Sequence, residues 1–167
     1  MTGAMGFAPP SLITAAQWCN ANNLNLEEGL RWINDATNPQ LGGQKTFAAL
    51  STKANLERKL NRTADADQTM AAAMDNASIL EIHGYGRQLI GEKKYKEALS
   101  VFELNFKKNG DTWPTHVGLA RGYSAVGDVK KALEHAKKAQ AQAPDEVNKK
   151  SLEAMVKTLS DGKALVQ

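Results

Sequence analysis

The segment Trp113–Pro144, WPTHVGLARGYSAVGDVKKALEHAKKAQAQAP, divides at Gly127-Asp128 into two helical halves. Small residues (Ala120, Ala132, Ala139) alternate with large ones (Leu119, Tyr123), the pattern two helices need to approach closely while filling the space beside the contact. Ala98 stands 34 residues before Ala132, and the stretch around it overlays the later one without a gap, with Gly86, Leu89, Tyr95 and Phe102 in register. A fixed period of this length marks a repeated helix-turn-helix unit. Further back, Asn61–Met74 overlays Gly127–Gln140, pairing Ala66 with Ala132 and Ala73 with Ala139. Its first helix is expected over Thr46–Leu60. Leu12–Asn22 and Leu26–Thr37, with Leu30, Ile33 and Ala36 on one stripe, form a looser fourth hairpin.

These positions resemble the consensus of the tetratricopeptide repeat. The resemblance implies an all-α, right-handed solenoid of about four hairpins, over residues 11–37, 45–76, 78–109 and 112–143, inside a single repeat domain at 11–163. After Pro144, the residues Val147, Leu152, Met155, Val156 and Leu159 follow helical spacing among charged neighbours, so 145–161 reads as the helix that covers the last open apolar face. Residues 1–10 read as a disordered or vector-derived leader and 164–167 as a frayed tail.

Punctuation agrees with this register. Asn25 with Glu28 and Ser78 with Glu81 are spaced as capping boxes. Gly42-Gly43, Gly110 and Gly127 fall between expected helices, and Pro114 suits a first helical turn.

Composition restricts function. The 167-residue chain is 42% hydrophobic but only 6% aromatic, so small side chains must fill much of its core. Twenty-one basic against 18 acidic residues give a net charge of +3, too mild to imply nucleic acid, and the Lys130, Lys131, Lys137, Lys138 cluster reads as a solvated helix face. No apolar run approaches the length of a membrane span. Cys19 is the sole cysteine, which excludes an intrachain disulfide and a cysteine-built zinc site.

The three histidines, His83, His116 and His135, have no second ligand at i, i+4 spacing. His116 is expected packed in its helix and His135 facing outward. The glycines of Gly84-Tyr85-Gly86, Gly118 and Gly122 follow no strand, so close helix packing explains them better than a phosphate loop. No catalytic, cofactor or metal site is expected, and the chain reads as a non-enzyme.

Tetratricopeptide arrays hold an extended peptide or another protein on the wall of their first helices, at the fifth and ninth repeat positions. The resemblance places Ser51 and Asn55, His83 and Arg87, and Val117 and Arg121 there, with Trp18 at the ninth position of the first hairpin and Arg58 and Lys53 nearby. Arginine's planar fork can hold a carboxylate through two hydrogen bonds. The partner expected is a protein or extended peptide carrying an acidic group. This is similar to the carboxylate clamp of chaperone-binding members, from which the chain departs by having Ser51 and His83 at fifth positions and Pro114 at a second. The other reading of the same groups is that Arg87 and Arg121 pair with acids of adjacent repeats and stabilise the stack.

The stretches Leu24–Glu28, Leu50–Ala54, His83–Arg87 and Val117–Ala125 resemble the helical C-terminal region of the bacterial domain-of-unknown-function 2911 family, over about residues 12–163. That resemblance implies a β-rich domain before the helical region and a periplasmic or cell-envelope location of a longer parent. It keeps open an alternative in which the chain is a self-association or spacer segment of a larger exported protein. A monomer or weak homo-oligomer is expected.

Overall fold

The computed structural model describes residues 8–165. Among these the protein is all-α: nine α-helices and one 3-10 turn, with no strand. Contacts concentrate in two compact units, one up to Ala77 and one from Ser78 onward.

The first unit holds α1 (Pro9–Asn22), α2 (Leu26–Ala36), the 3-10 turn Pro39–Leu41, α3 (Phe47–Lys59) and α4 (Thr63–Asn76). Helix α1 packs on α2 and α3, α2 on α3, and α3 on α4. Ala16, Leu30, Ile33, Ala49 and Leu56 form the core, flanked by Ile13, Leu26, Trp32 and Leu60. Pro9 and Pro10, expected in a leader, open α1, where proline's missing N–H leaves no helical bond unmade. Residues 1–7 of that expected leader lie outside the described residues. The capping box expected at Asn25 does not form: Asn25 is left-handed (φ 49°), its side chain caps nothing, and Glu28 pairs with Arg31 instead.

The second unit holds α5 (Ile79–Gly91), α6 (Tyr95–Asn109), α7 (Trp113–Ala125), α8 (Val129–Ala141) and α9 (Glu146–Ser160). Each packs on the next, and α5 also packs on α7. The Ser78–Glu81 capping box forms, with the Ser78 N–H donating to the Glu81 carboxylate at 2.8 Å. Phe102 of α6, fully buried, is the seat of the α5–α6–α7 packing. A Cβ built on Gly86, Gly118 or Gly122 would stand 2.4, 2.6 and 2.9 Å from its ring, so three glycines on two helices leave the room that one phenyl fills. Gly84 does not share that role, since a Cβ there meets open space.

Ala120, Ala132, Ala136 and Ala139 are fully buried where α7 and α8 meet, and Leu152, Met155 and Leu159 of α9 close over them. Val147 faces solvent. Leu165, expected to fray, is tied down: its N–H donates to Ser124 Oγ at 2.7 Å and its side chain packs on the alanine-rich cluster. Residues 166–167 lie outside the described residues.

One turn recurs in all four hairpins. After α1, α3, α5 and α7 a single residue turns left-handed (Asn23, Asn61, Lys93, Gly127), and the next N–H reaches back five residues: Leu24 to Cys19, Arg62 to Glu57, Lys94 to Leu89 and Asp128 to Tyr123, at 2.8–3.1 Å. This is the Schellman closure, which satisfies carbonyls left free at a helix end. Only Gly127 bears the left-handed φ at no steric cost.

Candidate anion-binding site

His83 and Arg87, four residues apart, share one face of α5, and Arg121 rises from α7, which packs on α5. The His83 ring lies 5.6 Å from the Phe102 ring, centroid to centroid. Burial, then the charges of Arg121 and Arg87, hold His83 down to about 4, against the opposing pull of the Pro114 carbonyl. Neutral His83 is therefore the form present at pH 7. Arg121 is also pushed below the ordinary guanidinium value, by burial first and by Arg87 second. Half-buried His83 and Arg121 thus stand beside exposed Arg87, three basic groups close together.

No acid among the described residues relieves them. Among the described residues neither Arg87 nor Arg121 lies in an ion pair. Arg121 Nε and His83 Nδ1 are enclosed and make no hydrogen bond to the protein. An enclosed donor or acceptor without a partner costs about 1–3 kcal/mol, more when charged. Here one of each sits on neighbouring helices.

The other expected binding residues divide. Val117 is buried in the alanine-rich core, so it presents no surface to a partner. In the first unit Trp18 is 56% exposed, Ser51 and Asn55 are half-buried, and the Ser51 hydroxyl donates to the Ala48 carbonyl. Arg58 pairs with Asp67 at 3.3 Å and Lys53 with Glu57 at 3.8 Å. The basic residues there have intramolecular carboxylates. Of the eight expected positions, the structure gathers His83, Arg87 and Arg121 into one unpaired basic cluster.

A second polar constellation went unread in the sequence. His135, expected outward, is half-buried: its Nδ1 lies 2.9 Å from Nδ1 of fully buried His116, and its ring stacks on Tyr123 at 5.5 Å. His116 Nε2 meets Asp111 Oδ1 at 2.5 Å, and Gln142 Nε2 donates to the same oxygen at 3.0 Å. Hydrogen bonds from Gln142 and His116 hold Asp111 below the usual carboxylate range, so it is ionised and accepts. The chain ties the α6–α7 loop to α7 and α8. Among the described residues no group of three or more His, Cys, Asp or Glu could hold a metal ion, and no helix is long and apolar enough to cross a membrane.

No protein-family model, curated protein or solved structure matches the chain.

Proposed function

We propose that the chain is a non-catalytic protein- or peptide-interaction module built of tetratricopeptide-type hairpins, and that its second unit receives an acidic group of the partner at Arg87 and Arg121. Support for the repeat comes from the Schellman turn shared by four hairpins and from the period that sets Ala98 and Ala132 at fully buried positions. The observation that carries the binding reading is the pair of guanidinium groups without a carboxylate, one of them with an enclosed, unbonded Nε. An arginine that served only to stabilise the stack would be paired, as Arg58 and Arg62 are. A carboxylate from outside offers acceptors to the guanidinium groups and offsets the mutual repulsion of the two cations.

Fluorescently labelled acetyl-tetraglutamate amide and its tetraglutamine counterpart provide the test. Wild type should prefer the acidic peptide, and the Arg87→Glu, Arg121→Glu double variant should lose at least about tenfold in affinity, since a charge-assisted hydrogen bond contributes about 1.5–3 kcal/mol. Equal binding of the acidic peptide by both proteins would remove the site.

A further inference from the structure

The polar chain on α7 and α8 ends on an atom that the fold does not use. Asp111 Oδ1 holds His116 Nε2 at 2.5 Å, and His116 Nδ1 faces His135 Nδ1 at 2.9 Å. The last atom of the chain is His135 Nε2, which makes no hydrogen bond among the described residues and, unlike His83 Nδ1, is not enclosed. With both rings neutral, the pair carries two ring hydrogens. One lies on His116 Nε2 against the Asp111 carboxylate, so the other lies between the rings on His135 and leaves its Nε2 lone pair free. Burial, then His116 and Lys138, hold His135 below the ordinary histidine value, which favours this neutral form at pH 7.

When such a nitrogen bonds an electrophile, its ring becomes cationic. Here the Nδ1 hydrogen can shift to His116, whose own N–H rests on ionised Asp111, so charge made at the surface is shared with a buried ring and stabilised by a carboxylate. Tyr123, stacked on the imidazole at 9°, holds its plane. Lys131 and Lys138, four residues before His135 and three after it, share its side of α8. Lys131 pairs with Asp128 at 3.5 Å, whereas Lys138 is in no ion pair among the described residues. Glu134 opposes them, but two cations flank the nitrogen and favour an anionic electrophile.

We infer that His135 Nε2 is a phosphoryl-acceptor site served by a P–N-bonded donor of the phosphoramidate class. In the step, the Nε2 lone pair bonds to phosphorus while the P–N bond of the zwitterionic donor breaks, and ammonia leaves with the bonding electrons. The phosphoryl charge faces Lys138, and the new imidazolium keeps its hydrogen directed at His116. One P–N bond replaces another, so no further reactant is needed. The site does not depend on the acidic-group reading above; Asp111 and His116 are positioning residues in it.

The test treats the full chain with potassium phosphoramidate at pH 8, with N-acetylhistidine methylamide as the reference nucleophile. Phosphorus and nitrogen NMR should place one phosphoryl group on His135 Nε2, formed about tenfold faster than on the reference, the effect of one charge-assisted hydrogen bond. Asp111→Asn, which keeps an acceptor oxygen and removes the charge, should return most of that gain and should move the His135 nitrogen shifts, although the two residues share no hydrogen bond. Lys138→Gln should slow phosphoramidate severalfold and leave the reaction with uncharged diethyl pyrocarbonate unchanged. A rate on His135 no greater than the reference, a rate unaffected by Asp111→Asn, or phosphoryl on any other nitrogen overturns the site. Equal effects of Lys138→Gln on the two reagents overturn the choice of an anionic donor.

Discussion

The five arginines of this protein divide cleanly between its two units. Arg31, Arg58 and Arg62, all in the first, pair with Glu28, Asp67 and Glu27; Arg87 and Arg121, both in the second, pair with nothing among the described residues. Similar hairpins closed by the same turn thus carry opposite electrostatic arrangements. In the first unit the cations are used internally, at exposed sites where each pair contributes little. In the second, half-buried Arg121 stands beside exposed Arg87, and among the described residues no carboxylate offsets their repulsion, which lowers stability. A protein sits above a stability threshold with room for such costs where function needs them.

The contrast can be broken most forcefully in the packing beneath it. Phe102→Ala removes the ring that three glycines accommodate and should cost about 3–5 kcal/mol. Hydrogen exchange should show that loss in α5, α6 and α7, with α1–α3 less affected. Uniform loss in both units would mean that the second has no separate core.

Acid provides the next test. His83 is depressed from 6.5 to about 4 in the folded chain. Below pH 6.5 the unfolded state takes up a proton that the native state refuses, so stability is fully present above that pH and falls as pH drops towards 4. His135, lowered by burial, then by His116 and Lys138, acts in the same direction. Discounted for partial exposure, the His83 contribution is about 2–3 kcal/mol. Denaturant melts of wild type and His83→Gln between pH 7 and 4.5 should therefore diverge, the variant losing less. Parallel curves would show that His83 is not held neutral.

A glycine pair sharpens the packing side. Gly118→Ala should destabilise by about 1–3 kcal/mol through collision with Phe102, whereas Gly84→Ala, open to solvent, should stabilise by up to about 1 kcal/mol. Thermal melts that rank them in the reverse order would contradict the seat assigned to Phe102.

Smallest and most telling is a comparison of arginines. Arg121→Met should stabilise the free protein by about 1 kcal/mol, because a desolvated, unpaired cation gives way to a side chain content with burial. Arg58→Met should be neutral or mildly destabilising. If Arg121→Met destabilises more than Arg58→Met, then Arg121 has a structural partner and the two units are not opposites.

The helical hairpins were legible because period and small residues coincide in sequence: Ala98, Ala132 and Ala139 are fully buried where the register put them. His83, Arg87 and Arg121 were legible as positions on first helices. Their lack of carboxylates was not, since pairing with neighbouring acids was an equal reading until the helices were placed. Turn chemistry was half legible. Gly127 announced its turn, whereas Asn23, Asn61 and Lys93 adopt the same left-handed geometry without the residue that usually signals it. The link between His116 and His135 joins residues 19 apart on different helices, beyond the reach of any helical spacing rule.

That link fixes where hydrogens sit. Because ionised Asp111 can only accept, the hydrogen between it and His116 sits on Nε2, and a single hydrogen lies between the facing Nδ1 atoms of His116 and His135. The two imidazoles thereby face each other as one donor and one acceptor 2.9 Å apart, and nitrogen chemical shifts should report the two Nδ1 atoms as unlike. A second hydrogen in that gap would set two N–H groups nose to nose and push α8 away from α7.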